Sequence, residues 1–225
     1  MSYPNPSNNG FIIRPPTWDD APALVELFNA CSRELRGTEP ASLAELHLAW
    51  QDPGRDFTTD GRVVTDARGR IVGYAAVYCS TPYVRNFLSV DIDPEHRGQG
   101  LGSTLTQWGE AHIRQQMGKA PADARVTLQS GTLSTYKAAT QLLCDHGFAH
   151  VRSFYEMRIE MTSAPPAPLW PAAITVRSMI PNQEEEAVYR ADVDAFRDHW
   201  GFVEQPFEED FPRWLHYTQN HPDYD

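Results

Sequence analysis

The chain has 225 residues, 41% hydrophobic and 11% aromatic, with a formal charge of −11 at pH 7. That composition is globular rather than disordered, and the acidity weighs against a nucleic-acid binder, which presents a basic face. No run of about 18 apolar residues occurs, so no membrane-spanning helix is expected.

The opening MSYPNPSNNG lacks the basic and apolar regions of a secretory signal. Cys31, Cys79 and Cys144 are scattered and odd in number, without a CxxC pair, and read as buried thiols in a reducing compartment. The expected location is the cytoplasm. The eight histidines show no ligand spacing, so no metal is expected.

In chain order, FIIR is a short strand stopped by Pro15-Pro16. A helix follows, with Thr17 or Asp19 as cap and Pro22 in its first turn. Leu24, Leu27, Phe28, Cys31 and Leu35 recur at three and four and give it one apolar face. Ser42-Leu43-Ala44-Glu45 is a capping box, and Leu43, Leu46 and Trp50 share a face of a second helix. RVVTDA and RIVGYAAVYCS are β-rich runs joined around Ala67-Arg68-Gly69, a predicted hairpin. NFLSVDID is a further strand.

Ser103 to Met117 reads as a helix, with Leu101, Leu105 and Trp108 on one side, and ARVTLQS as a strand. Ser134 to His146 is a helix closed by Gly147, and HVRSFYEMRIEM supplies one or two last strands. The order β-αα-βββ-α-β-α-β(β) predicts an α/β domain with a mixed sheet over residues 1–162.

Ser163 to Ala173, SAPPAPLWPAA, is a stiff proline-rich linker. Beyond it the pattern repeats the start of the chain. TVR and Pro181 echo IIR and Pro15; Tyr189, Val193, Phe196 and Trp200 echo Leu24, Phe28, Cys31 and Leu35. Phe207, Phe211 and Trp214 mark a second short helix. Residues 174–225 therefore read as a partial second copy, strand plus two helices, or else as a helical extension packing on the first domain. From Arg177 onward twelve Asp and Glu face four Arg, so most of the acidity lies there. Trp108, Trp200 and Trp214 are expected in the core.

The stretch VDIDPEHRGQGLGSTL stands apart. Gly98, Gly100 and Gly102 fall between a strand end and a helix start, where free amides and the helix dipole hold anions, and Arg97 adds a cation suited to phosphate. Neither a GK[ST] loop nor GxGxxG spacing is present. An unliganded glycine-rich turn is the simpler alternative.

Ile92-Asp93-Pro94-Glu95-His96-Arg97-Gly98-Gln99-Gly100-Leu101-Gly102 resembles the V-x-P-x-x-R-G-x-G-[IL]-G signature of the GNAT acyltransferases, and the element order over about residues 11 to 161 resembles that fold. AFRDHWGF and HGFAHVRSFYEMRIEM are similar to its tandem, mycothiol synthase-like branch.

The resemblance implies acetyl-CoA, or a related acyl-CoA, in a gap between two splayed strands. Its pyrophosphate would rest on the amides from Arg97 through Gly98, Gln99, Gly100, Leu101 and Gly102 to Ser103. Its pantetheine arm would pair with the backbone of Val90 to Ile92. Tyr136 stands where the family often carries Asn and is expected either to contact the coenzyme or to serve packing alone. The acceptor would be a primary amine of a small molecule or peptide. Asp91 is the first candidate for general base, its alternative being a solvated strand-end residue like Asp93. Tyr78, Tyr83 and Glu110 are weaker candidates, and His96 is expected to face solvent.

One departure stands out. Where the family often carries a tyrosine that protonates the leaving thiolate, this chain has Leu143. A binding module with weak or no catalysis is therefore the alternative to an enzyme. A homodimer formed through the C-terminal segment is a third expectation.

Overall fold

The computed structural model describes residues 10–221 and 224. Five strands form one sheet in the order β1 (Ile12–Arg14), β2 (Gly61–Thr65), β3 (Ile71–Tyr78), β4 (Arg85–Ile92) and β5 (Thr127–Gln129). The first three pairings are antiparallel and β4–β5 is parallel. The hairpin predicted around Ala67-Arg68-Gly69 joins β2 to β3, with Asp66 Oδ1 accepting from the amides of Arg68 and Arg70 at 2.9 Å each.

Helix α1 (Ala21–Arg36) and α2 (Leu43–Trp50) cover one face of the sheet, and α3 (Phe57–Asp60) leads directly into β2. The capping box of α2 forms as expected: Ser42 Oγ accepts from the Glu45 amide and Glu45 reaches back to the Ser42 amide. Leu24, Leu27, Cys31, Trp50, Phe57, Val63 and Tyr74 make this core. Helix α4 (Leu101–Gln116) covers the other face with Leu101, Leu105, Trp108 and Ile113 against Val77 and Leu88. Contact there is tight. A Cβ added at Gly109 would lie 2.6 Å from Leu88 Cδ1.

Alternation along β4 decides the geometry of the site. Leu88, Val90 and Ile92 join the core under α4, so the intervening Phe87, Ser89 and Asp91 point to the α1–α2 face, beside their register partners Tyr78, Ala76 and Tyr74.

After α5 (Lys137–Asp145) the described structure departs from expectation. Residues 150–161, predicted to give one or two strands, form no ladder. Their apolar side chains stand exposed, from Val151 to Met157 at 92%. A strand exists only by pairing, and β5, three residues long, offers little edge. The strand expected of a second copy is also not formed, since Ile174 and Val176 are exposed and unpaired.

What forms there is α6 (Glu185–Ala195) and α7 (Phe207–Gln219). They pack on each other through Tyr189, Phe207, Phe211 and Trp214. Trp200 and Trp214 are half-buried rather than core.

Helix α7 is fastened to the first domain. Buried Asp52, just past α2, accepts from the Gly54 amide (2.8 Å), Arg213 Nε and Nη2 (3.1 and 3.2 Å) and Tyr217 Oη (3.0 Å). Burial alone would raise the Asp52 pKa, but these donors, Arg213 foremost, hold it below the ordinary carboxylate value. Of the cysteines, Cys31 is buried, Cys79 half-buried and Cys144 exposed. The expectation of three buried thiols is thereby corrected: Cys144 falls on the solvent side of α5, a helix with no buried residue. No helix among the described residues is long and apolar enough to cross a membrane.

Candidate active site

The β4–β5 pair opens like a wedge. Their register covers only Arg85, Asn86 and Phe87, while β3 accompanies β4 from Phe87 to Ile92. The stretch from Leu88 to Ile92, including Val90 and Ile92, thus has a backbone edge not paired with β5. That edge can accept an extended chain as an added strand.

At the end of β4 the chain passes through a short 3₁₀ turn, Pro94–His96, and enters α4. Asp93 caps that turn: its Oδ1 accepts from the Glu95 amide at 3.0 Å and lies 2.9 Å from His96 Nδ1. Asp93 is therefore not a solvated strand end. His96 is not on the surface either, since its side chain is held between Asp93, Arg70 and the ring of Phe11.

Gly98 and Gly100 have φ of +75° and +81°, left-handed values that cost other residues strain. Nothing lies within 4 Å of a Cβ built on either, so backbone conformation, not space, requires glycine there. Gly100 is the N-cap of α4 and supplies no side chain to the helix end. Thr104 N is the first to bond back, to Gly100 O at 3.0 Å. The amides of Leu101, Gly102 and Ser103 belong to the orphan donors of a first helical turn. Those of Gly98 and Gln99 precede them in an open loop.

Free donors gathered at a positive helix end are the arrangement that suits an anion. Gly102 plays a different part. Its missing Cβ leaves room for Leu142 of α5, whose Cδ1 would lie 2.8 Å away.

The Arg97 guanidinium pairs with Glu34 of α1, donates from Nε to Ile92 O at 3.3 Å, and lies 4.8 Å from the Tyr136 ring centre. An acidic partner 63 residues earlier in the chain competes for it. Arg97 thus ties β4, α1 and the N-cap of α5 together, and the structure does bring Tyr136 to the loop. Glu34 could not be singled out in the sequence, because its role depends wholly on how α1 crosses β4.

Asp91 sits on the same face as this clasp, with Ser89 Oγ at 3.5 Å. Burial pushes its carboxyl up to about 6, opposed only in part by Ser89 and Arg97. Cys31, which donates to Ile92 O at 3.3 Å, is raised by burial to about 11 and stays a thiol.

The weaker candidates lie elsewhere. Glu110 is on α4, across the sheet from Asp91, and pairs with Arg114 at 2.6 Å. Tyr83 is in the β3–β4 turn near Lys119. Tyr78 stacks under Arg55 at the far end of β3. Leu143 is half-buried on α5 and offers no proton. No group of three or more His, Cys, Asp or Glu suited to a metal ion occurs among the described residues.

Comparison with known proteins agrees with this geometry. Residues 59–156 match the family profile described as acetyltransferase (GNAT) domain. A crystal structure of a GCN5-related N-acetyltransferase from Sphaerobacter thermophilus superposes with a TM-score of 0.74 at 36% identity, covering 93% of this chain and 63% of that one. A mycothiol acetyltransferase of Cellulomonas flavigena is 30% identical over 161 residues, 70% of this chain and 44% of its own. That of Frankia alni is 31% identical over 134 residues, 59% of this chain and 37% of its own. The chain thus spans less than half the length of these two relatives. It carries a GNAT acetyltransferase domain, residues 59–156, and resembles the mycothiol acetyltransferases.

Proposed function

We propose that the protein is an acetyl-CoA-dependent N-acyltransferase acting on a primary amine. The observation that carries this reading is the alignment of three features along β4: the amide cradle at its end, the unpaired edge of Leu88 to Ile92, and the desolvated Asp91 carboxyl between them. The cradle from Gly98 to Ser103 suits the coenzyme's pyrophosphate because it offers fixed donors and no side chain at Gly98 or Gly100. Main-chain groups of Val90 to Ile92 suit the amides of the pantetheine arm. A local cradle of this kind lets a chain of net charge −11 hold an anion.

When bound, the coenzyme would supply an acetyl thioester whose carbonyl carbon the amine nitrogen attacks, the C–N bond forming as the C–S bond breaks and the coenzyme leaves as its thiol. An alkylammonium near pKa ~10 must first lose a proton. Asp91, at about 6, is about ten-to-one ionised at pH 7 and can take that proton on its carboxylate. Arg97 and Glu34 hold the loop against α1, and the Tyr136 ring lies against that pair. With Leu143 in place of a tyrosine, no acid on α5 meets the departing sulfur. A thiol of pKa ~8.5 leaves with modest help, and water serves.

In this arrangement residues 10–162 form the transferase unit, 163–173 a linker, and the two C-terminal helices close its flank through Asp52. The duplication is supported by helix spacing alone. Thiol release from acetyl-CoA with a panel of primary amines tests the reading. Acceptor-dependent release is expected; tight coenzyme binding with no release for any amine would leave the binding-module alternative standing.

A further inference from the structure

We infer that the amine acceptor also carries an anionic group, a carboxylate or a phosphate, held by Arg55 and Arg85 in a cavity further along β4; this rests on the acetyltransferase reading above. The cavity, about 190 Å³, opens where β3, β4 and β5 meet. Tyr78 and Phe87 line it, register partners on the face that carries Asp91. Gln129 lines it too, at the last rung before β5 leaves β4.

The electrostatics run against the composition of the chain. Arg55, Arg85 and Arg213 all line the cavity, and among the described residues no Asp or Glu does. Arg213 is neutralised by Asp52. Arg85 donates from Nε to Gln129 Oε1 at 3.1 Å and from Nη1 to Gly201 O at 2.7 Å and lies 5.5 Å from the Trp200 ring centre; among the described residues no carboxylate pairs with it. Arg55 lies 3.8 Å over the Tyr78 ring, and its buried Nε has no acceptor among the described residues. A buried charged donor in that state is costly unless something accepts from it. Planar guanidiniums are suited to carboxylate and phosphate oxygens.

Strand geometry sets the length of the acceptor. At about 3.3 Å per residue, Phe87 is about 7 Å from Ser89 and about 13 Å from Asp91. The Asp91 carboxyl and the long arginine side chains both reach into that span, so an amine at Asp91 and an anion at the arginines are separated by less than about 13 Å. An ω-amino carboxylate or an aminoalkyl phosphate fits within that limit.

The test compares ε-aminocaproate, its amide and aminopentyl phosphate as acceptors, with the full chain, Arg55→Gln and Arg85→Gln. Thiol release gives kcat/KM, and thermal shift of the coenzyme-saturated protein reads binding of the same compounds when turnover is slow. One or both anions should be preferred over the amide by about tenfold or more. Whichever is preferred identifies the group. Each variant should bring that ratio near one through KM, while affinity for acetyl-CoA is kept, which also shows that the variant is folded. Equal use or equal binding of amide and anions, or variants that keep the ratio, would overturn the inference. Failure of acetyl-CoA to bind by calorimetry would instead remove the acetyltransferase reading itself.

Discussion

Replacing Asp91 by Asn separates catalysis from stability at one atom. The native carboxyl titrates at about 6 instead of 3.8 because burial disfavours its charge. A group whose folded pKa is raised contributes most to stability below its unfolded value, and that contribution is lost as pH rises through the folded value. Between pH 3.8 and about 6 the fold therefore loses stability to this residue, and above about 6 the loss is complete. The interval corresponds to about 3 kcal/mol, an upper bound because Asp91 is not fully enclosed.

Asn removes the charge and keeps the shape. At pH 8 Asp91→Asn should raise Tm by up to about 6 to 12 °C, and the gain should vanish near pH 4. The same change should lower kcat by about 100-fold or more, the usual contribution of a general base. In the native enzyme, kcat/KM should climb with pH to a bend near 6 before flattening. Differential scanning calorimetry across pH and a thiol-release profile make both measurements. An Asn variant no more stable than the native chain at pH 8, or one with native kcat, would refute the reasoning.

Three further outcomes follow from the packing. Gly100→Ala places a Cβ in open space but forces a left-handed backbone. It should cost about 1 to 2 kcal/mol and weaken acetyl-CoA binding about tenfold, read by urea unfolding and calorimetry. Gly109→Ala pushes a methyl into Leu88 and should cost about 1 to 3 kcal/mol in Tm measurements, with coenzyme affinity unchanged once folded. Asp52→Ala leaves Arg213 and Tyr217 unpaired at a buried site. It should release α7, seen as faster proteolysis near residues 200–206, at a cost of about 3 kcal/mol.

Much of the fold was legible because periodicity and caps acted locally. The capping box at Ser42, the hairpin around Gly69 and the apolar faces of α1 and α4 each depend on residues close in sequence. The glycine turn was legible for the same reason, since Gly98 and Gly100 announce left-handed backbone within three residues.

What failed depended on partners far away. HVRSFYEMRIEM has strand composition, yet composition supplies no edge to pair with. TVR echoes IIR in its β-branched pattern, while only IIR meets β2. The pairing of Arg97 with Glu34 likewise depends on where α1 lies, 63 residues earlier in the chain. Asp52, Arg55 and Arg85 carried no motif at all; their roles come from α7 closing over the α2 end and from the junction of three strands. Asp91 was named from its place on the strand; the burial that raises its carboxyl depends on how α1 lies against β4, which no local pattern carries.

The central claim is that the amides entering α4 hold the diphosphate of acetyl-CoA. Backbone amide resonances followed by NMR during a titration with coenzyme A test it most directly. The account predicts large, saturable shifts at Gly98 to Ser103, with smaller ones along Leu88 to Ile92. Shifts confined to other surfaces, or none at these residues at saturating coenzyme, would contradict it.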